Sequence, residues 1–100
     1  METSINKIAD TTVITVCGRL DTASAADFMK RIEPLAKKPG LKIEVECEDL
    51  EYISSSGLRA FIFLLKGAQA GGGSVKVRHL NTNVKEVFQM TGFASLFDID

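Results

Sequence analysis

Three consecutive serines, Ser54, Ser55 and Ser56, run into Gly57 and Leu58, and their type and spacing point to chemistry. They stand where an apolar segment ending in Tyr52-Ile53 gives way to a second apolar segment. Hydroxyls at such a junction accept from the first N–H groups of a helix, which have no intrahelical partner. The same free N–H groups and the positive end of the helix dipole favour an anion, so the spot also suits a phosphate. An ordinary helix cap and a phosphate-bearing site both fit the serines taken alone, and the rest of the chain has to choose.

Other chemistries find little support. A serine nucleophile needs a base within reach, whereas the chain holds one histidine, His79, and no Gly-x-Ser-x-Gly elbow. His79 closes an alternating segment on its apolar parity, which predicts a half-buried residue at a strand edge. Cys17 and Cys47 lie thirty positions apart with no third cysteine, a spacing that matches no metal motif. Both are expected as buried free thiols. Gly71-Gly72-Gly73-Ser74 follows a helical pattern and precedes a strand pattern, the reverse of a phosphate loop, and it lacks the Gly-Lys-Ser/Thr ending. It predicts a flexible turn. No catalytic residue, cofactor or metal is expected, and the chain reads as a binding protein rather than an enzyme.

Composition narrows the partners. Hydrophobic residues make up 45% and charged residues 25% of the 100 positions, the profile of one small globular domain spanning 1–100. Twelve basic against thirteen acidic residues give a net charge of −1, which is no footprint for nucleic acid or an anionic membrane surface. No apolar stretch is long enough to span a bilayer and no signal-peptide pattern is present, so a cytoplasmic location without membrane insertion is expected.

The elements that must position the serines follow from periodicity. Ser4 to Ile8 and Thr12 to Cys17 predict two strands, the second rich in β-branched residues and ended by Gly18. Asp21 or Thr22 then caps a helix from about Ala23 to Lys37, with Ala25, Phe28, Ile32 and Leu35 on its buried face. Pro34 predicts a kink or an early end. Leu41 to Cys47 alternates strictly, with Ile43, Val45 and Cys47 inward, and Ser74 to Arg78 repeats the pattern with Val75 and Val77 inward. Between them lies a helix from Ser55 to Ala70, and strand, helix and strand in that order suggest a right-handed parallel crossover. A last helix, Val84 to Met90, stops at Thr91-Gly92, ahead of an apolar tail of Phe93, Leu96, Phe97 and Ile99. The expected architecture is α/β in the order β-β-α-β-α-β-α, a mixed sheet with one solvated face and its helices packed on the other.

The helix after the serines is apolar nearly all round. Leu58, Phe61, Ile62 and Leu65 make a sufficient buried face, while Ala60, Phe63, Leu64 and Gly67 point elsewhere. Such a helix is deeply buried or offers part of its surface to a partner, and Phe63 and Leu64 are the expected contact side.

These elements in this order resemble the STAS domain, in particular its bacterial anti-sigma factor antagonist branch. The resemblance covers nearly the whole chain. It rests on Gly18-Arg19-Leu20-Asp21, on Tyr52-Ile53-Ser54-Ser55-Ser56-Gly57-Leu58-Arg59, and on Thr91-Gly92-Phe93 with Leu96-Phe97. It implies a switch: the unphosphorylated domain binds an anti-sigma factor that is also a serine kinase and so frees the sigma factor. The kinase then phosphorylates a serine at the start of the central helix and ends the interaction, and a metal-dependent serine phosphatase resets it. The family motif places the acceptor directly after an Asp, so alignment on Gly57-Leu58 makes Ser55 the acceptor, with Ser54 and Ser56 as competitors. Ser54 stands where the family carries the Asp, so the local carboxylate is missing here. Asp21 and Gly57 are the implied near-site residues, Arg59 joins Phe63 and Leu64 as the expected partner-binding set, and a monomer is expected in the free state. The same fold also resembles accessory subunits that dock on lipid-transport ATPases, and sensor or scaffold modules of signalling assemblies.

Overall fold

The computed structural model describes residues 1–99, apart from the side chain of Asp98. Two strands open the chain, β1 (Glu2–Ile8) and β2 (Thr11–Leu20), followed by helix α1 (Thr22–Ala36). Strands β3 (Lys42–Glu46) and β4 (Leu50–Ile53) lead to helix α2 (Ser55–Ala70). Strand β5 (Ser74–Arg78), helix α3 (Thr82–Met90), a 3₁₀ turn over Phe93–Ser95 and strand β6 (Asp98–Ile99) complete it. The expected order of elements is present, with two short strands, β4 and β6, added to it.

The strands form one mixed sheet in the order β1-β2-β3-β5-β6, with β4 paired to β2. β1 runs antiparallel to β2, while β2, β3, β5 and β6 are mutually parallel along that order. Alternation dictates the two faces. Ile14 and Val16 of β2, Ile43 and Val45 of β3, and Val75 and Val77 of β5 are buried in the common core with the helices. The other face carries Glu44 and Glu46 opposite Lys76 and Arg78 in register, with Arg78 and Glu44 3.5 Å apart. Phenylalanines from each helix join the core. Phe28 of α1 lies 5.7 Å from Phe61 of α2, and Phe61 lies 5.8 Å from Phe88 of α3. Phe97 of the apolar tail stacks edge-on against Phe88 at 5.6 Å.

Several elements differ from expectation for local reasons. β2 does not end at Gly18 but runs to Leu20, because Gly18 takes φ +94° and the pairing register shifts between Gly18 and Arg19. A residue without Cβ adopts that left-handed backbone freely, so the glycine bends the strand instead of stopping it. α1 passes through Pro34 and ends two residues later, at Ala36. α3 starts two residues earlier than its apolar pattern, since Asn81 accepts from the Val84 N–H at 2.8 Å and caps the first turn. His79 is exposed rather than half-buried: its φ of +58° ends the inward alternation, and its ring nitrogen meets Glu46 at 2.6 Å. Cys47 is buried and Cys17 half-buried, both as free thiols. Burial, with the Glu46 carboxylate adding to it, pushes the Cys47 thiol far above its ordinary range, so it is a packing residue and not a nucleophile. Among the described residues no helix is long and apolar enough to cross a membrane.

Candidate functional site

The site is built where β2 and β4 end side by side. Leu20 pairs with Ile53 in parallel register, and the Ser54 N–H then donates to the Leu20 carbonyl at 2.8 Å. That bond fixes the start of α1 against the start of α2. Asp21 follows Leu20 on one chain segment and Ser55 follows Ser54 on the other, so the two helix N-termini leave the sheet from adjacent points.

Each serine has a different environment. Ser54 is the N-cap of α2, with its hydroxyl accepting from the Gly57 N–H at 3.1 Å. Ser55 occupies the first helical position, is exposed, and its hydroxyl has no hydrogen-bond partner among the described residues. Ser56 is half-buried at the edge of a shallow groove of about 300 Å³, whose walls are Thr22, Ala25, Ala26 and Met29 of α1 with Ser56 and Arg59 of α2. Of the three hydroxyls, that of Ser55 is the one both exposed and uncommitted among the described residues.

Gly57 is required by packing. A Cβ at this position would sit 2.8 Å from Ile53 Cγ1 and 2.8 Å from Leu20 Cγ, inside the contact distance of both buried side chains. The glycine thus lets the α2 N-terminus lie against the strand ends that hold it.

Asp21 is the N-cap of α1, in a reciprocal capping box. The Ser24 N–H donates to Asp21 Oδ1 at 2.9 Å, and the Asp21 N–H donates to Ser24 Oγ at 3.0 Å. The Ser24 hydroxyl also donates to the Arg19 carbonyl at 2.9 Å. The Ser24 N–H and hydroxyl, with the Arg19 charge adding a smaller part, hold the Asp21 carboxyl below its usual range. Asp21 is therefore a fixed negative charge beside the serine turn and a cap at the same time. The expected cap is present, and the carboxylate stands one residue from the Leu20–Ser54 hydrogen bond.

The expected partner-binding residues separate. Arg59 is exposed and Phe63 is 37% exposed, but Leu64 is fully buried at 0%. The reason is that α2 is covered from more than one side. Leu64 belongs to the same core cluster as Phe61 and Phe88, while Ile62, expected in the core, is only partly buried. Leu64 is consequently a core residue, and the exposed stripe of α2 runs through Ser55, Arg59, Phe63 and Lys66.

One feature of the site was not apparent from the sequence as a pair. Arg19 and Tyr52 are register partners on β2 and β4, and the Arg19 guanidinium lies 4.3 Å from the centre of the Tyr52 ring. Each residue stands in a segment already singled out, but their contact depends on a parallel pairing between segments more than thirty residues apart, which no local pattern reveals.

The family model described as "Mlab, STAS domain" matches residues 4–98, and the chain belongs to the STAS domain family. A curated relative, the anti-sigma-B factor antagonist of Bacillus subtilis (strain 168), is 29% identical over 86 residues, covering 86% of this chain and 78% of the relative. Two solved structures share the fold. An anti-sigma-factor antagonist (STAS) domain protein from Planctomyces limnophilus has a TM-score of 0.88 at 16% identity, covering 98% of this chain and 87% of its own. The Bacillus cell fate determinant SpoIIAA in its phosphorylated form has a TM-score of 0.74 at 18% identity, covering 99% of this chain and 91% of its own.

Proposed function

We propose that this protein is an anti-sigma factor antagonist that works as a phosphorylation switch. Its unphosphorylated form binds an anti-sigma factor that is also a serine kinase, and so releases the sigma factor. Phosphorylation of Ser55 by that kinase ends the binding, and a serine phosphatase restores it. The observation that carries this reading is the exposed, uncommitted Ser55 hydroxyl at the first position of α2, beside a serine that already satisfies the cap. The curated relative named an anti-sigma-B factor antagonist and the structural neighbour in a phosphorylated form support it.

The physical basis of the switch is local charge. A phosphoserine brings about −1.5 to −2 charges and three acceptor oxygens at neutral pH. Asp21 is one residue from the Leu20–Ser54 hydrogen bond and stays ionised, so the modified turn becomes strongly anionic. A partner that packs on the Ser55, Arg59 and Phe63 stripe would have to desolvate that charge next to an apolar contact, which weakens binding.

A second reading, constitutive docking on a transport ATPase, draws on Ser54, which lacks the carboxylate that precedes the acceptor in the family motif. Phosphosite mapping by mass spectrometry on protein isolated from its own cells, with and without stress, decides between them. Stress-dependent phosphate on Ser55 is the expected result. Phosphate on Ser54 or Ser56 would move the site while keeping the switch, and no phosphate under any condition would overturn the switch in favour of docking.

A further inference from the structure

Two arginines stand beside the serine turn in different states. Arg19 is stacked on the Tyr52 ring. Arg59 is exposed and makes no ion pair among the described residues. It lies four residues after Ser55 on α2. Residues at i and i+4 of a helix share one face, one turn apart, and an anion placed N-terminal to its cation is the favourable order. An acceptor hydroxyl without a partner and a guanidinium without a counter-ion therefore occupy the same solvent-facing stripe at interaction distance.

We propose that Arg59 is an internal clamp for a phosphate on Ser55, so that modification also withdraws an arginine from the partner surface. The inference rests on Ser55 being the acceptor in the proposed switch. In the transfer, the Ser55 oxygen forms a bond to the γ-phosphorus of a nucleoside triphosphate held by the kinase. The bond from that phosphorus to the β–γ bridging oxygen breaks, the nucleoside diphosphate leaves, and the hydroxyl proton passes to a base on the kinase. The resulting phosphate presents oxygens that match the planar fork of a guanidinium.

In the unmodified protein Arg59 forms one wall of the groove between α1 and α2, opposite Thr22 and Met29, and is available to a carboxylate of the partner. Once Ser55 carries a phosphate, that carboxylate competes with an anion tethered one turn away on the same helix. The nearest other cation on the stripe, Lys66, is eleven residues from Ser55, about 16 Å along the helix axis, which is too far to substitute.

The test needs neither kinase nor partner. Phosphoserine is installed genetically at position 55 of the full chain, and the second ionisation of the phosphate is followed by phosphorus NMR against pH. Arg59→Gln is expected to raise the midpoint by about 0.3 pH unit, the scale of a surface i,i+4 pair gaining one charge. Arg59→Lys should fall between, and Lys66→Gln should leave the midpoint where it was. The same midpoint in Arg59→Gln as in the parent overturns the clamp, as does an equal shift in Lys66→Gln, which would mark a general charge effect. Failure here leaves the switch standing, whereas absence of phosphate on all three serines in cells removes the switch without bearing on the titration.

Discussion

The N-termini of α1 and α2 start from adjacent points of the sheet, yet they are finished in opposite ways. α1 begins with a charged cap in a reciprocal box, and the Ser24 hydroxyl that closes it makes a further bond to the Arg19 carbonyl. α2 begins with a neutral hydroxyl that satisfies one N–H, and among the described residues no side chain reaches back to the Ser54 N–H, which donates to the Leu20 carbonyl instead. The difference follows from packing. A capping box needs a side chain at the third helical position, and in α2 that position is Gly57, where even a Cβ would collide with Leu20 and Ile53. Tight seating on the strand ends therefore denies α2 the box that α1 has. It leaves the start of α2 uncharged and open, with Ser55 free, and it places the anionic Asp21 of the closed terminus alongside. The proposed phosphorylation switch draws on both halves of that contrast.

The largest expected effect comes from closing the open terminus with charge. Ser55→Asp should weaken binding to the proposed kinase partner by roughly a hundredfold, about 2.7 kcal/mol, as for a charge introduced at a largely desolvated contact. Ser55→Ala should bind like the parent protein and refuse modification. Calorimetric titration of the three proteins checks this, and equal affinity of the Asp and Ala variants would remove charge as the basis of the switch.

Next in size is the packing that keeps the two termini together. Gly57→Val adds three carbons where Ile53 Cγ1 and Leu20 Cγ already stand 2.8 Å from an added Cβ. Overpacking of this kind costs roughly 2 kcal/mol, allowing for the better helix propensity of valine. A drop in the urea midpoint with an unchanged slope is the expected readout. A stability equal to the parent's would show that α2 can lift away from the strands, and the contrast between the two termini would lose its cause.

How far this contrast was legible in the sequence depends on whether local or distant contacts make it. The Ser55–Ala70 helix and the Ser74–Arg78 strand were readable to the residue, because a cap and a period announce their bounds. The α1 cap, narrowed to Asp21 or Thr22, and a serine cap for α2 were equally local. Leu64 was not, because a helix apolar on several sides does not say which side is covered, and here α1 and α3 both contribute phenylalanines around Phe61. β4 was hidden for a related reason: Leu50 and Ile53 are buried while Glu51 and Tyr52 are exposed, a pattern without alternation, and its pairing with β2 exists only beyond the bulge at Gly18. His79 misled because alternation assumes extended backbone, and its φ of +58° breaks that assumption at the last step of the strand.

A smaller effect tests the neutral cap itself. Ser54→Ala removes the acceptor for the Gly57 N–H and should cost about 1 kcal/mol of stability. Ser54→Asp should restore the bond and add a favourable charge at the helix start, bringing stability to the parent level or up to about 1 kcal/mol above it. Thermal or urea unfolding of both variants measures the difference. If Ser54→Ala unfolds like the parent, the hydroxyl is decoration and α2 is held by its burial alone.

The smallest effect separates the two caps by pH. The folded-state pKa of Asp21 is held below its unfolded value by the Ser24 N–H, by the Ser24 hydroxyl and by Arg19. Its ionised form is therefore favoured in the folded protein. That contribution is complete above the unfolded value, near 3.9, and is lost as pH falls through the lower, folded value. Asn at the same place keeps an acceptor for the Ser24 N–H without the charge. The stability gap between the parent and Asp21→Asn should thus be constant from neutral pH down to about 5 and shrink steadily below about 4. The gap between the parent and Ser54→Ala should stay flat over the same range, because a serine hydroxyl does not titrate. Unfolding midpoints measured from pH 7 to pH 2.5 distinguish the two curves. A flat Asp21→Asn gap would mean that the charge at the closed terminus is fully screened by solvent, and repulsion from Asp21 would then have no part in how a phosphate on Ser55 is felt.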